Sequence, residues 1–82
     1  IELSDDYSMA EIQIVNPAFY GRSIKDLNIR KKFGLNVIAV RHANEVIVAP
    51  EASYTLQEKD IVSVVGPKDM VDDFDQITNQ LN

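Results

Sequence analysis

The sequence predicts an α+β domain built on a small, mainly antiparallel sheet of about four strands with two helices. Three observations predict it. Four segments carry strand patterning and two carry helix patterning, in the order strand, helix, strand, strand, strand, helix. A two-residue link between the second and third strands makes them an antiparallel hairpin. With 82 residues and 45% apolar content, the chain can bury one small core and no second lobe.

The elements follow in order. Residues 10–15 alternate polar and apolar side chains, the pattern of a half-buried strand. Asn16-Pro17 ends it, because proline has no N–H for a ladder and restricts the residue before it. Residues 18–21 read as a turn. Ser23 is placed to cap a helix, with Asp26 three residues on in a variant of the capping box. That helix runs from Ile24 to Phe33, and Gly34 suits the position just past its end. Residues 36–42 are β-branched and mostly apolar, as a central strand would be. Ala43-Asn44 turns the chain, with Asn44 the residue expected to accept a positive φ. Residues 45–49 return as the hairpin partner, and Pro50 stops them. Residues 61–65 form the fourth strand, ended by Gly66-Pro67. In the last segment Met70, Phe74, Ile77 and Leu81 recur at helical spacing and predict an apolar stripe, with Asp72, Asp73, Asp75 and Gln76 in water.

Composition excludes several function classes. There is no cysteine, hence no disulfide, no thiolate chemistry and no cysteine-ligated zinc. One histidine, His42, cannot furnish a site that needs two imidazoles. Gly21 and Gly34 are isolated, so no phosphate-binding glycine loop is present, and no serine sits in a nucleophile elbow. Asp69, Asp72, Asp73 and Asp75 splay over a helix without calcium-loop spacing, so no metal site is expected. An enzyme is not expected either. No apolar run exceeds five residues, so no membrane-spanning helix and no signal peptide are read, and cytosol is the expected compartment. The chain starts at Ile1 without methionine. Residues 1–7 read as a linker remnant ahead of a domain over 8–82.

The net charge of −5 is unevenly spread. Residues 22–41 carry Arg22, Lys25, Arg30, Lys31, Lys32 and Arg41 against Asp26 alone, while both flanks are acidic. Such a protein does not bind duplex DNA by bulk electrostatics, but a local basic segment can hold a small anion. From charge alone, Arg30-Lys31-Lys32 reads first as a solvated helix end, where cations suit the helix dipole.

Residues 21–30, Gly21-Arg22-Ser23-Ile24-Lys25-Asp26-Leu27-Asn28-Ile29-Arg30, fit a line of the form Gly-x-Ser/Thr-Ile/Leu-x-x-Leu-x-Ile/Leu-Arg. Gly34-Leu35-Asn36-Val37-Ile38-Ala39-Val40-Arg41 follows, then Pro50, then Leu56-x-x-x-Asp60-Ile61-Val62-x-Val64-x-Gly66. This order and spacing resembles the C-terminal RCK domain, also called TrkA-C, of Ktr- and Trk-type potassium transport subunits and related cation/proton antiporters. It is most similar to the subgroup that binds cyclic di-AMP. The resemblance implies a homodimer that sits behind an N-terminal nucleotide-binding RCK domain of the same chain. It implies a membrane potassium channel or transporter subunit as partner, and a cytoplasmic place beside the membrane. It implies no cofactor in this domain, no nucleic acid polymer, and cyclic di-AMP as ligand across the dimer two-fold.

Chemistry then suggests roles. Arg30 offers a planar fork to a phosphate. Val37, Ile38 and Pro50 can wall an adenine, with Ile24 closing that wall, and the Asn36 amide can meet an adenine edge. Asn28, Arg41 and His42 are further polar candidates. Each has a plainer reading. Val37 and Ile38 are adjacent on a strand and cannot both point to one face. Asn36 can cap the junction after Gly34, Pro50 can merely end a strand, and Arg30 can pair with Asp26. A ligand-free dimerisation module and a sensor of a cation or another small molecule remain alternatives.

Overall fold

The computed structural model describes residues 1–81. The chain forms β1 (Tyr7–Gln13), a 3-10 turn (Pro17–Phe19), α1 (Ile24–Leu27), α2 (Ile29–Phe33), β2 (Asn36–His42), β3 (Glu45–Val48), β4 (Ile61–Pro67) and α3 (Lys68–Thr78). The strands make one sheet in the order β1-β4-β2-β3, antiparallel throughout. The first strand therefore pairs with the last, and β2 and β4 occupy the middle.

The helices cover one face of that sheet. α3 packs on β1 and β4, and α2 packs on α3 and β2. Between them lie Ile12, Ile14, Leu27, Ile29, Leu35, Leu56, Val62, Val64 and Val71, closed by fully buried Phe74. The Phe74 ring meets Phe33 edge-on at 5.3 Å between centroids and Phe19 at 6.2 Å. This geometry adds to the area these rings bury.

Five details depart from the sequence reading, each for a physical reason. First, β1 begins at Tyr7 and leaves the ladder after Gln13. Beyond it the Ile14 amide donates to Asp60 O, and the Val15 and Asn16 amides donate to Thr78 O. Of residues 1–7, expected as linker, Tyr7 opens β1 and Glu2 bridges to Ser8, so the segment lies back beside that strand. Second, the helix over 24–33 is interrupted. Asn28 takes the left-handed conformation (φ 54°, ψ 42°), ending α1 and starting α2. Asparagine is one of the few residues that visits this region readily. Third, the positive φ of the β2–β3 turn falls on Ala43 (54°) and not on Asn44. Two-residue hairpin turns need it at the first central position. Fourth, β4 runs on through Gly66 and Pro67. A Cβ on Gly66 would lie 2.5 Å from Leu35 Cδ2 and 2.9 Å from Gly34 O.

The fifth departure concerns α3. Its buried stripe is Val71, Phe74 and Thr78, with Met70 half-buried. Ile77 is 36% exposed and Leu81, past the helix end, 72%. The cause is a long-range cap. Asn16 donates from Nδ2 to Ile77 O (2.9 Å), while the Val15 and Asn16 amides take Thr78 O. These three donors satisfy the orphan carbonyls at the C-terminal end and fix the rotation of the helix. Ser23 caps α1 as expected, its Oγ accepting from the Asp26 amide at 3.0 Å.

Two further features position the site. Ile38 is an extra residue in β2, because Val37 opposes Val64 and Ala39 opposes the next residue, Ser63. The β3–β4 connection is zipped to the segment before α1. The Gly21 amide donates to Leu56 O, Leu56 to Arg22 O, Ile24 to Tyr54 O and Lys25 to Ala52 O.

Candidate functional site

α1, α2, the start of β2 and the β3–β4 connection meet around a cavity of about 350 Å³. α1 supplies Ile24 and Lys25. The break supplies Asn28, and α2 supplies Ile29 and Arg30. Leu35, just before β2, enters with Asn36 and Val37 at its start, and Pro50 and Ala52 form the opposite wall. The left-handed turn at Asn28 redirects the chain, so both short helices face one space.

One polar contact organises the cavity. Arg30 Nε and Nη2 both donate to Asn36 Oδ1, at 3.1 and 2.9 Å. The guanidinium is thus held flat by a neutral partner and not by Asp26. Its Nη1 and the Asn36 amide hydrogens remain for another acceptor. Arg30, Asn36 and Lys25 are exposed, and Ile29 and Leu35 form a buried apolar floor. Two cations with a preformed fork beside an apolar floor suit an anion that carries a flat apolar body.

The structure brings together six of the nine side chains singled out from sequence: Ile24, Asn28, Arg30, Asn36, Val37 and Pro50. Three stand elsewhere. Ile38 is displaced by the bulge and 37% exposed. Arg41 pairs with Glu11 at 3.7 Å on the exposed side of the sheet. His42 lies at the far end of β2, its Nδ1 2.7 Å from Asp60 Oδ1. The sequence reading missed Lys25, Ile29, Leu35 and Ala52. Lys25 stood beside a named position inside the basic segment. Ala52 carries no local signal; the bond from the Lys25 amide to its carbonyl is a long-range contact.

A second polar cluster centres on Asp60, which is fully buried. Its Oδ1 meets His42, and its Oδ2 accepts from Tyr54 OH (2.8 Å) and the Gln57 amide (3.0 Å). Burial first, then the hydrogen bond to Asp60 and its charge, push the Tyr54 phenol up to about 12. Among the described residues no group of three His, Asp or Glu side chains is placed to hold a metal ion. Nor is any helix there long and apolar enough to cross a membrane.

Comparison with known proteins gives a consistent result. The model of the TrkA-C domain matches residues 9–79. The Ktr system potassium uptake protein C of Bacillus subtilis (strain 168) is 39% identical over 66 residues, 80% of this chain and 29% of that protein. The chain thus spans about a third or less of the curated relatives it matches. Among solved structures, the RCK C domain of the potassium transport protein KtrA in complex with cyclic diadenosine monophosphate superposes with a TM-score of 0.82. It is 31% identical, and the match covers 92% of this chain and 87% of that one. The RCK_C domain dimer of S. agalactiae BusR, in complex with c-di-AMP, has a TM-score of 0.73 over 90% of this chain and 96% of that one. At 24% identity it speaks for the fold alone.

Proposed function

We propose that this chain, which belongs to the TrkA-C domain family, binds cyclic di-AMP across the two-fold axis of a homodimer and regulates a potassium transport system. One observation carries the reading: the cavity in which Asn36 holds the Arg30 fork beside Lys25 and an apolar floor. The ligand has two phosphates and two adenines related by a two-fold axis, and a two-fold interface offers every protein group twice. One cavity of about 350 Å³ per chain then takes one half of it. Arg30, with Lys25 near it, meets a phosphate; Val37, Pro50 and Ile24 flank an adenine; Asn36 and Asn28 offer amides to polar edges. Ile38 and Val48, 37% and 75% exposed, lie next in sequence or nearly so to Val37 and Pro50. A second copy would cover them.

For partners, this reading takes those that the resemblance to Ktr potassium uptake proteins implies. An N-terminal nucleotide-binding RCK domain precedes this module, and a membrane potassium channel or transporter subunit receives its signal at the cytoplasmic face. The module regulates and does not catalyse. Isothermal titration with cyclic di-AMP, with cyclic di-GMP and AMP as controls, tests the reading. It predicts selective heat at one ligand per two chains. A chain that stays dimeric in light scattering yet gives no heat with cyclic di-AMP would be the ligand-free dimerisation module instead.

A further inference from the structure

Asp60 belongs to the family-like sequence line yet does not line the candidate cavity, and its burial needs a reason. A carboxylate removed from water is costly unless its oxygens are hydrogen-bonded. Here both are, by three donors from two places: His42 at the end of β2, and Tyr54 and the Gln57 amide in the β3–β4 connection. The Asp60 amide also donates to Gln57 O, and Asp60 O accepts from Ile14. The carboxylate therefore ties the connection to β2 through His42, while the Asp60 backbone joins it to Ile14, just past β1.

That connection forms the cavity wall. From Tyr54, anchored by its hydroxyl, the chain runs back to Ala52 and Pro50. Tyr54 O and Ala52 O accept from the amides of Ile24 and Lys25, which stand on the other side of the same cavity. The near end of the wall is fixed separately, by the Ala49 amide on Ile38 O. The far end depends on Asp60.

We propose that Asp60, through Tyr54 and His42, positions the wall formed by Pro50 and Ala52 and thereby sets how tightly the cavity holds its ligand. His42 thus acts on the cavity without touching it. The affinity half of this inference rests on the cyclic di-AMP reading; the positioning half does not.

Amide hydrogen exchange and titration of Tyr54→Phe and His42→Ala separate the two halves. Tyr54→Phe removes one hydroxyl and no ring. The Ile24 and Lys25 amides should then exchange about fivefold faster, the change expected when one hydrogen bond worth about 1 kcal/mol is lost. Amides of Val40 and Val62, in the middle of the sheet, should keep the parent rate. Cyclic di-AMP affinity, measured where both proteins are fully folded, should fall by a similar factor. His42→Gln, which keeps a donor, should recover part of what His42→Ala loses. Unchanged exchange at Ile24 and Lys25 in both Tyr54→Phe and His42→Ala overturns the positioning role. So does a uniform rise at every amide, which would mean general destabilisation. A parent chain that binds no cyclic di-AMP sinks the ligand reading and the affinity half, while exchange still decides the positioning half.

Discussion

Replacing Arg30 by alanine is the most informative single perturbation of the proposed cavity. The side chain is exposed and its only side-chain hydrogen bonds among the described residues are the two to Asn36 Oδ1. Its loss should therefore barely change the melting temperature, because exposed polar pairs add little stability. Binding should respond differently. A charge-assisted hydrogen bond to a phosphate contributes about 1.5–3 kcal/mol, and a two-fold site loses it twice, about 3–6 kcal/mol per ligand. At about 1.4 kcal/mol per decade, affinity should fall at least about a hundredfold. Isothermal titration reads this directly. Lys31→Ala, one residue along α2 and outside the cavity, is the control for bulk charge and should change affinity by less than about threefold. Asn36→Ala should lose affinity too, since it frees the guanidinium to sample other rotamers. The double variant should then be less than additive, with a coupling of about 0.5–3 kcal/mol typical of contacting residues. An Arg30→Ala protein that binds cyclic di-AMP as tightly as its parent would refute the phosphate role. Equal losses from Arg30→Ala and Lys31→Ala would replace the fork by diffuse electrostatics.

Two other predictions follow from the packing and the buried cluster. Gly66→Ala should destabilise by about 1–3 kcal/mol in urea denaturation, as overpacking does, because the new methyl meets Leu35 and the Gly34 carbonyl; an unchanged midpoint would contradict the close approach. Tyr54 should make alkaline stability pH-dependent. Its native value of about 12 lies above the ordinary 10.0, so the folded chain holds the proton longer. The stability this adds is full below pH 10 and drains as pH rises towards about 12, so the parent should lose its advantage over Tyr54→Phe across that window in alkaline circular dichroism. A difference that stays flat over the same range would show that Tyr54 does not ionise as described.

β2, β3 and β4 were legible because each is a short β-branched run with proline, glycine or asparagine close to its ends, and β1 by its alternation, although β1 starts and ends earlier than the alternation does. The hairpin was legible for the same reason. What escaped was set by groups far apart in sequence. The rotation of α3 depends on Asn16, which caps it from 61 residues away. The break at Asn28 lies inside a stretch whose apolar spacing alone reads as one helix. In the cavity, Arg30 and Asn36 stood out by chemistry, but their mutual bond did not, and it holds Arg30 in place of the alternative Asp26 pairing. His42 illustrates the limit well. As the one histidine near a basic segment it looked like a ligand group, yet its partner is a carboxylate 18 residues on that no local pattern links to it.

The extra residue in β2 also bears on how the chain can change length. A strand alternates its faces strictly, so removing one residue ordinarily inverts everything beyond the cut. β2 has one place where this does not hold. Without Ile38, Val37 would still oppose Val64, Ala39 would still oppose Ser63 and Val40 would still oppose Val62, with each side chain on its present face. The same deletion in β4, which pairs without a spare residue against β1, would turn Val62 or Val64 out of the core. A shortened β2 would keep its sheet and its interior. It would lose only the Ile38 carbonyl that receives the Ala49 amide, and with it the near anchor of the wall that begins at Pro50. The bulge therefore separates two inheritable traits, folding and wall geometry, so that a one-codon deletion can alter the second and spare the first.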